Sequence, residues 1–158
     1  MAPRLKLALW LSALLLSGCA EISQLGQGDV FQMHRTAVLA YESGEDARAE
    51  ALYQGLARVA PNDPETWLRL GNLYARSNRP DDAAEAYQRS LMLNPNDSRL
   101  WYNLGIIRQR QAHAAFIQTQ QLTPDDDPLH IKSATLIKQV APLNVAPAAN
   151  KDENNAGK

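Results

Sequence analysis

Cysteine occurs once in these 158 residues, at position 19, so the chain closes no disulfide within itself and builds no Cys-rich zinc site. Histidine is nearly as scarce: His34, His113 and His130 are scattered, and none stands at i, i+4 from another. HExxH, GxGxxG, GxSxG and the phosphate-binding P-loop are all missing, so no catalytic residue, metal ligand or cofactor site is nominated. Asp125, Asp126 and Asp127 read as a solvated turn rather than a calcium site. Net charge is also nearly absent. Sixteen basic and 17 acidic side chains leave −1, which argues against a protein that coats nucleic acid. What is present, 45% hydrophobic and 21% charged residues, lies in the ordinary globular range and gives room for one domain with tails.

The first stretch with a clear meaning is Met1 to Ala20, MAPRLKLALWLSALLLSGCA. Arg4 and Lys6 supply a positive n-region, and the stretch from Leu5 to Leu16, largely apolar and without an acidic side chain, spans roughly 18 Å as a helix, short of the ~30 Å hydrocarbon core. A signal peptide over residues 1–18 fits this better than a membrane span. Leu16-Ser17-Gly18-Cys19 resembles the lipobox of bacterial lipoproteins. That resemblance implies cleavage before Cys19, acylation of Cys19, and outer-membrane sorting on the periplasmic side, since Ala20 rather than Asp follows. An uncleaved signal anchor, or a soluble secreted product cut nearby, is the alternative. Cleavage leaves 140 residues with 14 basic and 17 acidic groups, hence −3, so anionic lipid contributes little attraction. Residues 19–29 then form a short tether, about 17 Å as a flexible coil, and several acyl chains anchor stably where one is marginal.

The middle of the chain repeats at an offset of 34 residues: Trp67 matches Trp101, Leu70 matches Leu104, Gly71 matches Gly105, and Tyr53 matches Tyr87. Pro61-Asn62-Asp63 recurs as Pro95-Asn96-Asp97. Trp67, Leu70 and Tyr74 fall on one helical face. Gly71 and Ala83 are small where two helices must approach. Pro80 suits the start of a second helix, Asp81 and Asp82 complement its dipole, and Pro95 stops it. Residues 64–97 resemble the tetratricopeptide repeat, with Trp67, Leu70, Gly71, Tyr74, Ala83, Tyr87 and Pro95 on its signature positions. Residues 30–63 are a weaker copy, with Met33 for the Trp and Ala37 for the Gly.

The third copy, 98–124, is incomplete. Gly105 to Ala112 is seven residues where Gly71 to Ala83 is twelve, so the five residues of the inter-helix turn are gone. Without Gly or Pro between Ile106 and Thr123, the two half-helices are predicted to fuse into one helix from about Ser98 to Leu122, roughly 37 Å long. A cramped hairpin around Gln111 is the alternative. Leu129 to Val140 carries an apolar stripe and is predicted to cap the array. Its Ile131, Ile137 and Val140 would cover Ala112, Ala115, Phe116, Ile117 and Leu122, a role otherwise left to a second copy, as a homodimer through the third repeat, or to a partner. Residues 141–158 have the composition of a disordered tail. The fold class expected is all-α: a short helix-turn-helix array of residues 30–140 with a fused third repeat and a terminal cap.

The tetratricopeptide resemblance implies a concave groove lined by the first helix of each repeat. It places Arg35 and Tyr41, then Arg69, Asn72 and Arg76, then Arg99, Tyr102, Asn103 and Arg110 on that surface. The second helices carry Glu45, Asp46, Glu50, Asp81, Asp82 and Glu85, so charge is expected to segregate, basic inside and acidic outside. Such a groove implies a non-enzymatic module that binds a protein or peptide segment, acidic or C-terminal in character, and not nucleic acid. A known clamp for C-terminal carboxylates is only partly echoed, because Val38 stands where an Asn is expected. Among lipoproteins of this kind the expected roles are an assembly factor for a pilus or secretion machine, of the pilotin type, or a scaffold for periplasmic cell-wall enzymes. A structural, self-associating lipoprotein is the third.

Overall fold

Helix starts repeat as the sequence does. Asp63, Asp97 and Asp127 each cap a helix by accepting hydrogen bonds from backbone N–H groups of the first turn, those of Glu65 and Thr66, of Arg99, and of Leu129. Pro64 and Pro128 follow their caps at the first helical position, where a missing N–H costs nothing. Trp67 Nε1 donates to the Pro61 carbonyl at 2.7 Å, and Trp101 Nε1 to the Pro95 carbonyl at 2.9 Å. Each connecting Pro-Asn-Asp segment is thus tied to the helix that it starts.

The computed structural model of the chain describes residues 27–141 and Pro147. The expected signal peptide, Cys19, most of the tether and most of the C-terminal tail lie outside the described residues. Six helices occur among the described residues: α1 Gln27–Glu42, α2 Asp46–Val59, α3 Pro64–Arg76, α4 Pro80–Leu93, α5 Ser98–Leu122 and α6 Pro128–Gln139. No strand occurs among them, and none of these helices is long and apolar enough to cross a membrane. Each helix packs on the next in chain order, so the fold is an all-α tetratricopeptide-like array with a fused third repeat and a terminal cap. α1 begins at Gln27, inside the segment expected to be tether.

The turns explain why the third repeat does not fold back. After α1, Gly44 takes φ +74°, and the Glu45 N–H reaches the Ala40 carbonyl at 2.9 Å. After α3, Asn78 takes φ +56°, and the Arg79 N–H reaches the Tyr74 carbonyl at 2.9 Å. Both turns need a residue that tolerates the left-handed region. From Ile106 to Thr123 there is neither Gly nor Asn, and α5 runs through without a break.

Two apolar clusters hold the array. One joins α1, α2 and α3 around Ala37, Tyr41, Tyr53, Leu56, Leu70 and Leu73; the other joins α3, α4 and α5 around Leu68, Ala83, Tyr87, Leu100, Leu104 and Ile107. Gly71 permits the closest approach, since a β-carbon there would overlap the Tyr87 ring. Gly105 occupies the same repeat position and has nothing within 4 Å. The helix that would have covered it continues along α5 instead. Consequently Trp101 is 59% and Met92 77% exposed, and with Leu91 and Leu104 they line an open apolar cleft.

α6 does return along α5, with Ile137 and Val140 half-buried as expected of the cover and Ile131 turned away from it. Gln109 Nε2 donates to the Ala141 carbonyl at 3.1 Å, and His130 Nδ1 lies 3.2 Å from the Thr123 carbonyl. Ser133 is the buried residue of α6, while Ile131 is 59% exposed and Leu122 of α5 75%. The contact face passes through His130, Ser133, Ala134 and Ile137, about 100° around the helix from Ile131. Ile131 therefore does not cover α5.

Candidate functional site

Asn72 is the hub of the surface formed by α1, α3 and α5. Its Nδ2 donates to Tyr41 Oη at 3.1 Å, and its Oδ1 accepts from Tyr87 Oη at 2.8 Å and from Asn103 Nδ2 at 3.1 Å. All four side chains are buried, and among the described residues no buried side-chain polar atom lacks a partner. Burial pushes the Tyr87 hydroxyl well above the usual tyrosine range, so it stays protonated and donates. Four helices are registered against one another through a single amide. A satisfied buried network of this kind specifies geometry, because any slip strands a polar group.

Arginines surround the hub. The guanidinium carbons of Arg69 and Arg76 lie 4.4 and 4.2 Å from the centroid of the Tyr41 ring. Arg69 is only 7% exposed and bonds Glu65 at 2.9 Å. Arg76 pairs with Asp46 of α2 at 3.0 Å, and Arg99 pairs with Asp97 and, at 3.6 Å, with Glu65. The hydrogen bond from Arg99 holds the Asp97 carboxyl below the usual aspartate range. Arg110 Nη1 donates to the Ala75 carbonyl at 3.4 Å. Tyr102 stands exposed on α5, and Arg35 stands exposed on α1, outside the Asn72 network.

Of the residues expected on the groove, Tyr41, Asn72, Asn103, Arg69 and Arg76 converge, with Arg99 and Arg110 on the same two helices, α3 and α5. The expected clean segregation of charge is corrected. Asp46, assigned to the outside, reaches Arg76, and Glu50 reaches Arg79 at 2.7 Å. Neighbouring helices lie so close that acids on α2 bridge to the ends of α3. Tyr87, Glu65 and Ala75 join the site without having been singled out for it. Tyr87 was legible as a core residue, but nothing in the sequence marks its hydroxyl as a ligand of Asn72.

Beside Asn103 lies a small cleft lined by Ala75, Tyr87, Asn103, Ile106, Ile107, Arg110 and Pro147. Among the described residues no group of three His, Cys, Asp or Glu converges to hold a metal ion.

Residues 64–97, which form α3 and α4, match the tetratricopeptide repeat family. A 54-residue stretch is 41% identical to the peroxisomal targeting signal receptor of Candida glabrata, covering 34% of this chain. The match spans 9% of that receptor's length. Helical array, groove and repeat together define a protein-interaction adaptor built on tetratricopeptide architecture.

Proposed function

We propose that the chain is a lipid-anchored adaptor on the periplasmic side of the outer membrane, which holds an acidic or C-terminal peptide segment of a partner in the α1–α3–α5 groove. The Asn72 hub carries this reading. It registers α1, α3 and α5 against one another, with Arg76 on α3 and Arg99, Tyr102, Asn103 and Arg110 on α5. An incoming carboxylate displaces Asp46 from Arg76, whose side chain is 37% exposed, and gains a charge-assisted bond. The Candida relative is by its name a receptor for a targeting signal, which agrees with a groove that reads a short peptide. The anchor rests on the lipobox-like Leu16-Ser17-Gly18-Cys19. The role that suits a tethered peptide binder best is assembly of a pilus or secretion machine, as a pilotin does; scaffolding of cell-wall enzymes is the alternative.

Arg76→Glu combined with Tyr102→Ala tests the groove. Arg99 is left intact because it braces the cap of α5. The double variant should retain wild-type helicity and recover at least tenfold less partner. Equal recovery would remove the groove from partner binding.

A second reading, self-association through the third repeat, is favoured by one observation. Leu91, Met92, Trp101 and Leu104 form an apolar face at the position where the missing second helix would lie. Sedimentation from micromolar to millimolar concentration separates the two readings. A monomer throughout leaves the adaptor alone, and a dimer abolished by Trp101→Ser establishes the second.

A further inference from the structure

Ala141 accepts a hydrogen bond from Gln109, and six residues later Pro147 lines the same small cleft as Asn103, Ile106, Ile107 and Arg110. The sequence around it, Asn144-Val145-Ala146-Pro147-Ala148-Ala149, carries mostly small side chains. A proline within such a segment pre-sets one backbone angle and lowers the entropy lost on docking.

We propose that the groove's resident occupant is the chain's own C-terminal segment, seated through Pro147 in the Asn103–Ile106–Arg110 cleft, and that an external peptide must displace it. Charge continues the fit. Asp152 and Glu153 follow Pro147 by five and six residues, about 17–20 Å of extended chain. Ile106 to Arg99 is seven residues of helix, roughly 10 Å, so the acidic pair reaches Arg99 without strain. The segment is therefore a tethered competitor of the same acidic, extended character as the proposed partner. A short tether gives it an effective concentration in the millimolar range, enough to exclude weak ligands while yielding to a strong one.

The seat itself rests on Pro147; only the competition rests on the groove function proposed above, and it is tested separately. Benzoylphenylalanine placed at position 106 of the full chain, irradiated in dilute solution without any partner, should crosslink within one molecule to residues 144–150. Pro147→Glu should cut that product at least fivefold. Crosslinks confined to other segments, only to a second molecule, or unchanged by Pro147→Glu would overturn the seat and leave the groove's function to the partner experiment. If the seat holds, Pro147→Glu should raise the affinity for the captured partner segment by about five- to tenfold. An unchanged affinity would overturn the competition while leaving the seat standing.

Discussion

The two glycines at the same repeat position should respond to alanine with opposite signs. At Gly71 the added methyl would fall within the Tyr87 ring, which is fully buried and held by its hydroxyl on Asn72 at 2.8 Å. The ring cannot move away without straining that bond. Overpacking of this kind costs about 1–3 kcal/mol, and disturbing a buried hydrogen bond adds about 1. Helix propensity returns about 1 kcal/mol, because alanine is preferred to glycine inside a helix. Gly71→Ala is therefore expected to destabilise by about 1–3 kcal/mol. At Gly105 the methyl meets nothing within 4 Å, so only the propensity acts, and Gly105→Ala should stabilise by about 0.5–1 kcal/mol. Urea unfolding followed by circular dichroism measures both, with the slope checked so that a shift in midpoint reads as stability. Similar losses at both sites would show that a helix covers Gly105 as α4 covers Gly71, and the uninterrupted α5 would be refuted.

Asn72→Leu should cost about 2–4 kcal/mol in the same assay, since Tyr41, Tyr87 and Asn103 together lose three hydrogen bonds in a buried setting; a loss under 1 kcal/mol would mean that water replaces the amide. Asp97→Asn keeps a capping side chain and removes the charge paired with Arg99. The folded carboxyl titrates below its ordinary value of about 3.8, so its contribution is full above that pH and disappears as pH falls through the lowered value. The stability gap between wild type and variant should accordingly be constant from pH 7 to 5 and shrink below pH 4; a gap that persists at pH 2 would deny the ion pair a role. Cys19→Ser should abolish acyl labelling and release the protein from membranes, and unchanged retention would remove the lipid anchor from the account.

Most of the architecture was legible because it is written in local, repeated signals. Trp67, Leu70, Gly71, Ala83 and Tyr87 recur in or near register, and Pro-Asn-Asp supplies both the stop of one helix and the cap of the next. Even the irregular α5 was legible, as a deletion between Gly105 and Ala112. Its physical cause, the need for a left-handed residue such as Gly44 or Asn78 to turn the chain, emerges only from the backbone angles. On α6 the apolar stripe placed Ile137 and Val140 correctly and Ile131 wrongly, because spacing alone does not show that His130 and Ser133, both polar, lie on the covered side. In the groove, the positions on α3 and α5 were read from helical spacing, but their charge state in context was not. Asp46 and Arg76 are thirty residues apart, and no periodicity along one helix reveals a pairing between two.

The groove on α1, α3 and α5 is the centre of this account, and hydrogen–deuterium exchange of the full chain with and without its captured partner tests it most directly. Binding is expected to protect the backbone around Arg76, Asn103, Ile106 and Arg110 while leaving α2 and the outer face of α4 unchanged. Protection centred on Met92 and Trp101, with exchange around Asn103 and Arg110 unaltered, would move the binding surface to the opposite side of the array and contradict the account.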